Sequence, residues 1–356
     1  MNQIAKIQNV LAEYEIDAML LTGAINRRWA TGFASSAGAL VITSSESVFI
    51  TDSRYIESAK ATIKDAKVVQ IDIGQSYTDL IGKTLEQNDI KILGFEEDVM
   101  TQGTYTSYEK KLGAKLKPAQ ALLDTLRQSK SEEERDYIKK SQEITDKTFT
   151  QILSIITPDM TERELMAEIV YRLLKNGGER TSFDPIVLSG SRSSSPHGAP
   201  GDHKLEGFVT LDFGTVYKGY CSDMTRSIVV GQATDEMKRV YQTVLEAQLA
   251  GIAVARAGVI GKEIDGAARA VIAQAGYGDC FGHGFGHSIG LEIHETPNAL
   301  RANPIEERAF PKGSVISAEP GIYLPGKFGV RIEDLLYLTE TGNENLTSST
   351  KELIIL

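Results

Sequence analysis

Fourteen residues carry three of the chain's five histidines: Gly282–Glu295 reads GHGFGHSIGLEIHE, with glycine at 282, 284, 286 and 290. His283 and His287 stand four apart, the spacing of a zinc-binding helix. Gly284, however, occupies the place where that helical motif carries its glutamate. Each glycine also costs a helix about 1 kcal/mol relative to alanine. The stretch therefore predicts extended or looped backbone that bends tightly or lies close against a neighbour. A single histidine makes no metal site, so the chain must supply partners, and it offers two pairs of acids.

The first pair lies in VTLDFGTVYKGYCSDMTRSIVV. Val209–Phe213 and Tyr220–Val230 read as strands joined by a turn near Lys218-Gly219. A two-residue loop there sets 212 opposite 225 and 214 opposite 223. Asp212 and Asp223 then share one face, diagonally placed. Asp212 interrupts an apolar run where aspartate is disfavoured, and a buried carboxylate needs a counter-charge or a metal. The second pair lies in VISAEPGIYLPGKFGVRIEDLLYL, where Glu319 and Glu333 are symmetric about Gly326. A hairpin centred on Pro325-Gly326-Lys327 brings these glutamates face to face. Arg331 points to the same side as Glu333, and Asp334 points away. Val330, Ile332 and Leu335 place apolar residues on both faces, which argues for burial rather than a solvated edge.

Four carboxylates and one imidazole form a hard, oxygen-rich ligand set. It suits two divalent ions, with manganese, cobalt or zinc as candidates, rather than a thiolate zinc site. Two dications balance four negative charges, and such pairs serve hydrolysis.

This ordered set of residues resembles the metallopeptidases of the pita-bread fold, which include methionine aminopeptidase, aminopeptidase P and prolidase. LDFG and GYCSDMTRS are similar to their aspartate segments, GHSIGLEIHE to their histidine segment, and SAEPGIY and GVRIEDLL to their glutamate segments. SGSRSSSPHGAP resembles the segment that carries a substrate-side histidine. NRRWATGFASSAGALVIT and TDSRYIESA are similar to the creatinase-like N-terminal domain of aminopeptidase P and prolidase, which methionine aminopeptidases lack. One departure is Ser288, where the family more often has glycine.

The resemblance implies metal ligation by Asp212, Asp223, His287, Glu319 and Glu333. It implies that Glu319 also accepts and returns a proton, and that His197 and His294 contact the substrate or the developing oxyanion. Arg331 matches a position implicated in substrate binding. His283 has no ligand counterpart and receives a local role, while His203 is read as a surface residue. The implied activity is hydrolysis before a proline in second position, with manganese the first choice of metal. An Xaa-Pro aminopeptidase is the first reading and an Xaa-Pro dipeptidase the second. A metal-free, inactive binding module of the same fold is the alternative from another class. Members are usually homodimers, and the resemblance allows Trp29 to contribute across the interface.

The elements that must position these residues fall into two groups, an α+β organisation. Alternating strands and helices up to about residue 124 predict a small α/β domain; residues 125–356 are expected to form the pita-bread domain. SYTDLIGKTLEQN and TERE carry capping-box spacing at helix starts. LRQSKSEEERDYIKKSQE, from Leu126, reads as a charged helix face opening the second domain. Further helices are expected at Thr161–Asn176, Thr234–Ala257 and Gly261–Ala275.

A chain of 356 residues is long enough for two domains, and 41% hydrophobic content supports a sizeable core. A net charge of −10 argues against nucleic acid or an anionic membrane as partner. No run of 18 apolar residues and no secretory leader pattern is present. With only Cys221 and Cys280, two thiols in a reducing compartment are the expectation, hence a cytoplasmic protein.

Overall fold

The computed structural model describes residues 2–297, 300–301 and 307–356. The chain divides into two compact units, Met1–Arg127 and Gln128–Leu356. The boundary expected after residue 124 falls inside a helix, Gln120–Gln128. The continuous helical reading from Leu126 onward is corrected. The helix ends at Gln128, and a new one, Glu132–Leu153, starts behind Ser131. Ser131 accepts the N–H of Glu134, whose carboxylate accepts the Ser131 N–H in return. This capping box satisfies two donors that a helix start otherwise leaves open.

The first unit is built on a six-stranded mixed sheet. Its strands are β1 (Ala18–Leu21), β2 (Ala39–Thr43), β3 (Ser47–Thr51), β4 (Lys67–Gln70), β5 (Ile92–Phe95) and β6 (Lys115–Pro118). Their order is β4-β3-β2-β1-β5-β6. Every residue of β1, β2 and β3 is buried, the mark of strands covered on both faces. Ala18, Leu20, Val41 and Ile50 pack against Ile81 and Leu85 of the helix Tyr77–Gln87. Ser76 and Asp79 close the capping box of that helix. The β2–β3 turn is held by Thr43, whose hydroxyl accepts the N–H groups of Ser45 and Glu46.

The second unit holds strands β7 (Ile186–Ser189), β8 (Gly207–Asp212), β9 (Val216–Tyr217), β10 (Tyr220–Cys221), β11 (Thr225–Val230), β12 (Val315–Ala318), β13 (Gly321–Leu324), β14 (Phe328–Arg331), β15 (Asp334–Leu338) and β16 (Asn343–Asn345). In the three-stranded sheet β11-β8-β7 the side chains alternate between two cores. Val209, Leu211, Ile228 and Val230 pack with Ile144, Leu165 and Ile169 of the helices Glu132–Leu153 and Glu162–Lys175. Phe208 and Val229 face the core of the helices Asp235–Val254 and Gly261–Gln274. The period-two side-chain rule places Thr210, Asp212, Thr225 and Ser227 on the Phe208 side. Three of them bond Arg331 of β14: Asp212 and Thr225 accept from its guanidinium, and the Ser227 hydroxyl accepts the Arg331 N–H and donates to the Arg331 carbonyl.

No described helix is long and apolar enough to cross a membrane. Cys221 and Cys280 are both free thiols.

Candidate metal centre

Two hairpins and one extended segment meet at the centre of the second unit. β8 pairs with β11 in the register Asp212↔Thr225, and β9 pairs with β10 in the register Cys221↔Val216. Both ladders share one register across the Lys218-Gly219 turn. Lys218 at φ 52° and Gly219 at φ 91° give that turn the left-handed backbone of a tight hairpin. Between the ladders the chain leaves regular pairing at residues 213–215 and 222–224, and Asp223 lies in that break.

The second hairpin is interrupted in the same way. β12 pairs with β15 at Ala318↔Asp334, and β13 pairs with β14 at Gly321↔Arg331. The shared register would set 319 opposite 333. Both glutamates fall in the gap between the two ladders, which frees their side chains to turn inward.

His287 comes from extended backbone rather than a helix. The Ser317 N–H donates to the His287 carbonyl at 2.8 Å, and the His287 N–H donates to the Ser317 hydroxyl at 2.9 Å. A Cβ on Gly286 would stand 2.2 Å from the Ser317 carbonyl oxygen. Glycine is therefore required by close approach to β12, the reason anticipated for the glycine density. Ser288 donates to the Pro297 carbonyl at 2.6 Å, a contact glycine could not make.

The side chains converge. Ligand atoms of Asp223, His287 and Glu333 lie within 4.8 Å of one another. His287 Nε2 is 3.4 Å from Asp223 and 3.5 Å from Glu319. Asp212 is bonded by the Arg331 guanidinium, whose Nε lies 4.0 Å from Glu319. The structure thus brings Asp212, Asp223, His287, Glu319 and Glu333 to one place. They floor a cavity of about 380 Å³. Its wall includes Phe183, Pro185, Ile186 and Ile293, and His197 and His294 also line it. The ring of His294 stands edge-on to that of His287, with centroids 4.3 Å apart. His203 lies on the surface.

Arg331, expected at the substrate, bonds the carboxylate of Asp212. It is 2% exposed, and its nitrogens donate to Thr225, Tyr323 and Asp212. Thr225 accepts from Arg331 at 2.9 Å and donates to Glu333 at 2.7 Å, which fixes that glutamate. His283 completes the line. Its Nδ1 is 2.8 Å from the Gly284 carbonyl, an acceptor, so Nδ1 carries the proton. Its Nε2, 2.9 Å from the Tyr323 hydroxyl, must then accept. Asp334 is turned away, as anticipated, and pairs with Arg226 and Lys351.

Sequence reasoning missed Thr225, Tyr323 and the pair Asp265–Arg269. Arg269 holds the carbonyls of Phe281 and His283, and Asp265 holds the Phe285 N–H. The register argument could have found Thr225, the residue opposite Asp212. Nothing in the sequence marks the others.

The electrostatics favour a cation. Burial pushes Asp212 up to about 7, against the pull of Arg331. Asp223 and Glu333 are raised by burial and by the neighbouring carboxylates. Burial would depress His287, but the hydrogen bond to Asp223 and the charge of Glu319 lift it to about 9. One oxygen on each of Asp212, Asp223 and Glu333 is buried without a protein partner. Unpaired buried carboxylate oxygens carry a desolvation cost that divalent ions would remove. The His287 Nδ1 faces the Ser288 carbonyl at 3.2 Å, which leaves Nε2 as the ligand atom. The residues present fit such ions.

The model of metallopeptidase family M24 matches residues 136–340. The chain belongs to that family. The creatinase/prolidase N-terminal domain matches residues 3–129, so the peptidase has the two-domain architecture of pita-bread enzymes with that domain. An uncharacterized peptidase, YqhT, of Bacillus subtilis strain 168 is 44% identical, covering 99% of this chain and 100% of its own. The structure of an Xaa-Pro dipeptidase from Bacillus anthracis superposes with a TM-score of 0.95 at 41% identity, covering 99% of both chains. That of an X-Pro aminopeptidase from Thermotoga maritima gives 0.91 at 36%, covering 96% of this chain and 98% of the other.

Proposed function

We propose that this peptidase hydrolyses the bond between an N-terminal residue and a following proline, with an Xaa-Pro dipeptide as substrate. The observation that carries the reading is the convergence of four carboxylates and His287 on one cavity, with three carboxylate oxygens unpartnered. Asp212, Asp223, His287, Glu319 and Glu333 would hold two divalent ions. The predominance of oxygen donors favours manganese, with cobalt or zinc as alternatives. Bound there, the ions supply polarisation of the scissile carbonyl and acidification of a water.

The chain's own residues do the rest. Glu319 is the proton carrier. Its side chain is 19% exposed, against 7% for Asp223 and 11% for Asp212, so of these three carboxylates it is the most accessible to a bound substrate. It takes a proton from the attacking water and returns it to the leaving proline nitrogen. His197 and His294, both exposed to the cavity, steady the substrate carbonyl as charge develops on its oxygen. Arg331 holds Asp212 in place rather than touching substrate. A prolyl bond offers no N–H, so recognition falls to shape, and the apolar wall of Phe183, Ile186 and Ile293 suits a pyrrolidine ring. The acidic floor suits the substrate's free amine.

Similarity to the Bacillus anthracis dipeptidase, at 41% identity, supports the dipeptide substrate. The aminopeptidase reading is the second, supported by the Thermotoga maritima relative at 36%. Leu-Pro and Leu-Pro-Ala should be assayed side by side with manganese, cobalt and zinc in turn. Turnover of the dipeptide alone supports the first reading, and preference for the tripeptide supports the second. Cleavage of neither, by protein that binds no divalent ion, would return the case to a binding module.

A further inference from the structure

Behind the histidine segment lies a buried ion pair outside the carboxylate cluster. Lys130 Nζ is 3.0 Å from Glu295 Oε2, and the two side chains are 2% and 4% exposed. The other carboxylate oxygen, Oε1, accepts the N–H of Leu291 at 2.9 Å and of Glu292 at 3.3 Å. The Glu295 N–H donates to the Ser288 carbonyl at 2.8 Å. Residues 288–295 are thus closed into a loop around one carboxylate. A Cβ on Gly290 would stand 2.6 Å from Glu295 Oε2, so the carboxylate occupies the space a side chain would need. The Gly290 carbonyl in turn accepts the Cys221 N–H at 2.7 Å, two residues before Asp223. Lys130 is itself tethered, its N–H donating to the Gly313 carbonyl at 2.9 Å.

We propose that Lys130 and Glu295 are positioning residues for His294. Lys130 supplies the counter-charge that makes a buried carboxylate tolerable. The carboxylate fixes the Leu291–Glu292 turn, and the turn fixes the aim of the imidazole that follows. His294 has an exposed ring resting edge-on against His287, so its direction depends on the backbone that carries it. An apolar pair of the same volume would fill the space but would leave two amide donors unsatisfied. This inference rests on the reading of His294 as a substrate contact given above.

The test is a double-mutant cycle on the metal-loaded enzyme, using whichever Xaa-Pro substrate is turned over best. Wild type, Lys130→Met, His294→Ala and the double variant are compared for kcat, KM and metal bound per chain. Lys130→Met is expected to lower kcat at least tenfold with metal content unchanged. His294→Ala added to Lys130→Met should cost no more than threefold, although alone it costs at least thirtyfold. A Lys130→Met enzyme within twofold of wild-type kcat, losses that multiply, or metal lost in step with activity would each overturn the proposal. If His294→Ala alone leaves kcat unchanged, the reading of His294 fails and takes this inference with it. An impaired His294→Ala beside a normal Lys130→Met removes only the role of the pair. Should Lys130→Met fail to fold, Glu295→Gln keeps the size and one acceptor oxygen, and must show the same non-additivity.

Discussion

Thr225 carries two bonds through one hydroxyl: it accepts from Arg331 and donates to Glu333. Thr225→Val keeps the shape and removes both bonds. It leaves a guanidinium N–H and a carboxylate oxygen buried without that partner, at a cost of about 1–3 kcal/mol. We expect kcat to fall about tenfold or more and metal affinity to weaken, with Thr225→Ser close to wild type. Equal activity of the valine variant would show that Glu333 needs no such hold. Asp223→Ala and Glu333→Ala test the ligands themselves. Each should abolish stoichiometric metal binding and lower kcat at least a hundredfold, read by metal analysis beside the peptide assay. Full turnover after dialysis against a chelator would dismiss either residue.

The elements place these residues through breaks in their ladders. Each hairpin keeps one register on both sides of a gap, and the acids Asp223, Glu319 and Glu333 sit in the gaps. The extended His287 segment then lies along β12, and two glycines in it make opposite predictions. A Cβ on Gly286 meets the Ser317 carbonyl at 2.2 Å, whereas one on Gly282 meets nothing within 4 Å. Gly286→Ala should push His287 away from β12, destabilise the chain by about 1–3 kcal/mol and loosen metal binding. Gly282→Ala should stay within about 0.5 kcal/mol of wild type. Denaturant titration of both variants, beside metal analysis, separates a local clash from a general dislike of substitution in a glycine-rich stretch.

At the scale of the whole molecule, metal, protons and folding are linked. Asp212 is raised from 3.8 to about 7 and His287 from 6.5 to about 9, with Asp223 and Glu333 raised in the same direction. A group whose folded value is raised binds its proton more tightly in the folded state. Its stabilisation is complete below the unfolded value and is lost as pH rises through the folded one. For metal-free protein that loss runs from about 4 to about 7 for Asp212, and from about 6.5 to about 9 for His287. The depressed values of His283 and His294 act oppositely, but only up to about 6.5. Between pH 7 and 9, therefore, the Tm of metal-free protein should fall. Divalent ions compete with the same protons, so the gain in Tm on adding manganese should be larger at pH 9 than at pH 7. A gain independent of pH would mean that the ions bind elsewhere.

Much of the fold was legible because its signals are local. Ser76-Asp79 and Thr161-Glu164 announce their helices by spacing alone, and the structure shows both capping boxes. The pairing of Asp212 with Thr225 follows from strand periodicity and a two-residue turn. Short elements with mixed composition were not legible. Ala24–Thr31 carries two arginines, and Gln102–Lys111 has no buried residue, so neither shows an apolar stripe. The start of the second helical run was misplaced because Ser129 and Lys130 look like more of the same charged surface. They are instead a break, and Lys130 turns inward to Glu295.

By itself the sequence determined which side chains exist for chemistry and which hairpin registers they obey, because residue spacing and turn geometry are properties of a few neighbouring residues. It also carried the family's ordered acids and histidine, and with them the expectation of a metallopeptidase. Only the tertiary structure decided that Arg331 is buried against Asp212, that three carboxylate oxygens go without a protein partner, and that Lys130 pairs with Glu295 beside His294. Those outcomes depend on which surfaces exclude water from one another. Burial brings together residues more than a hundred positions apart, a property that no local pattern encodes.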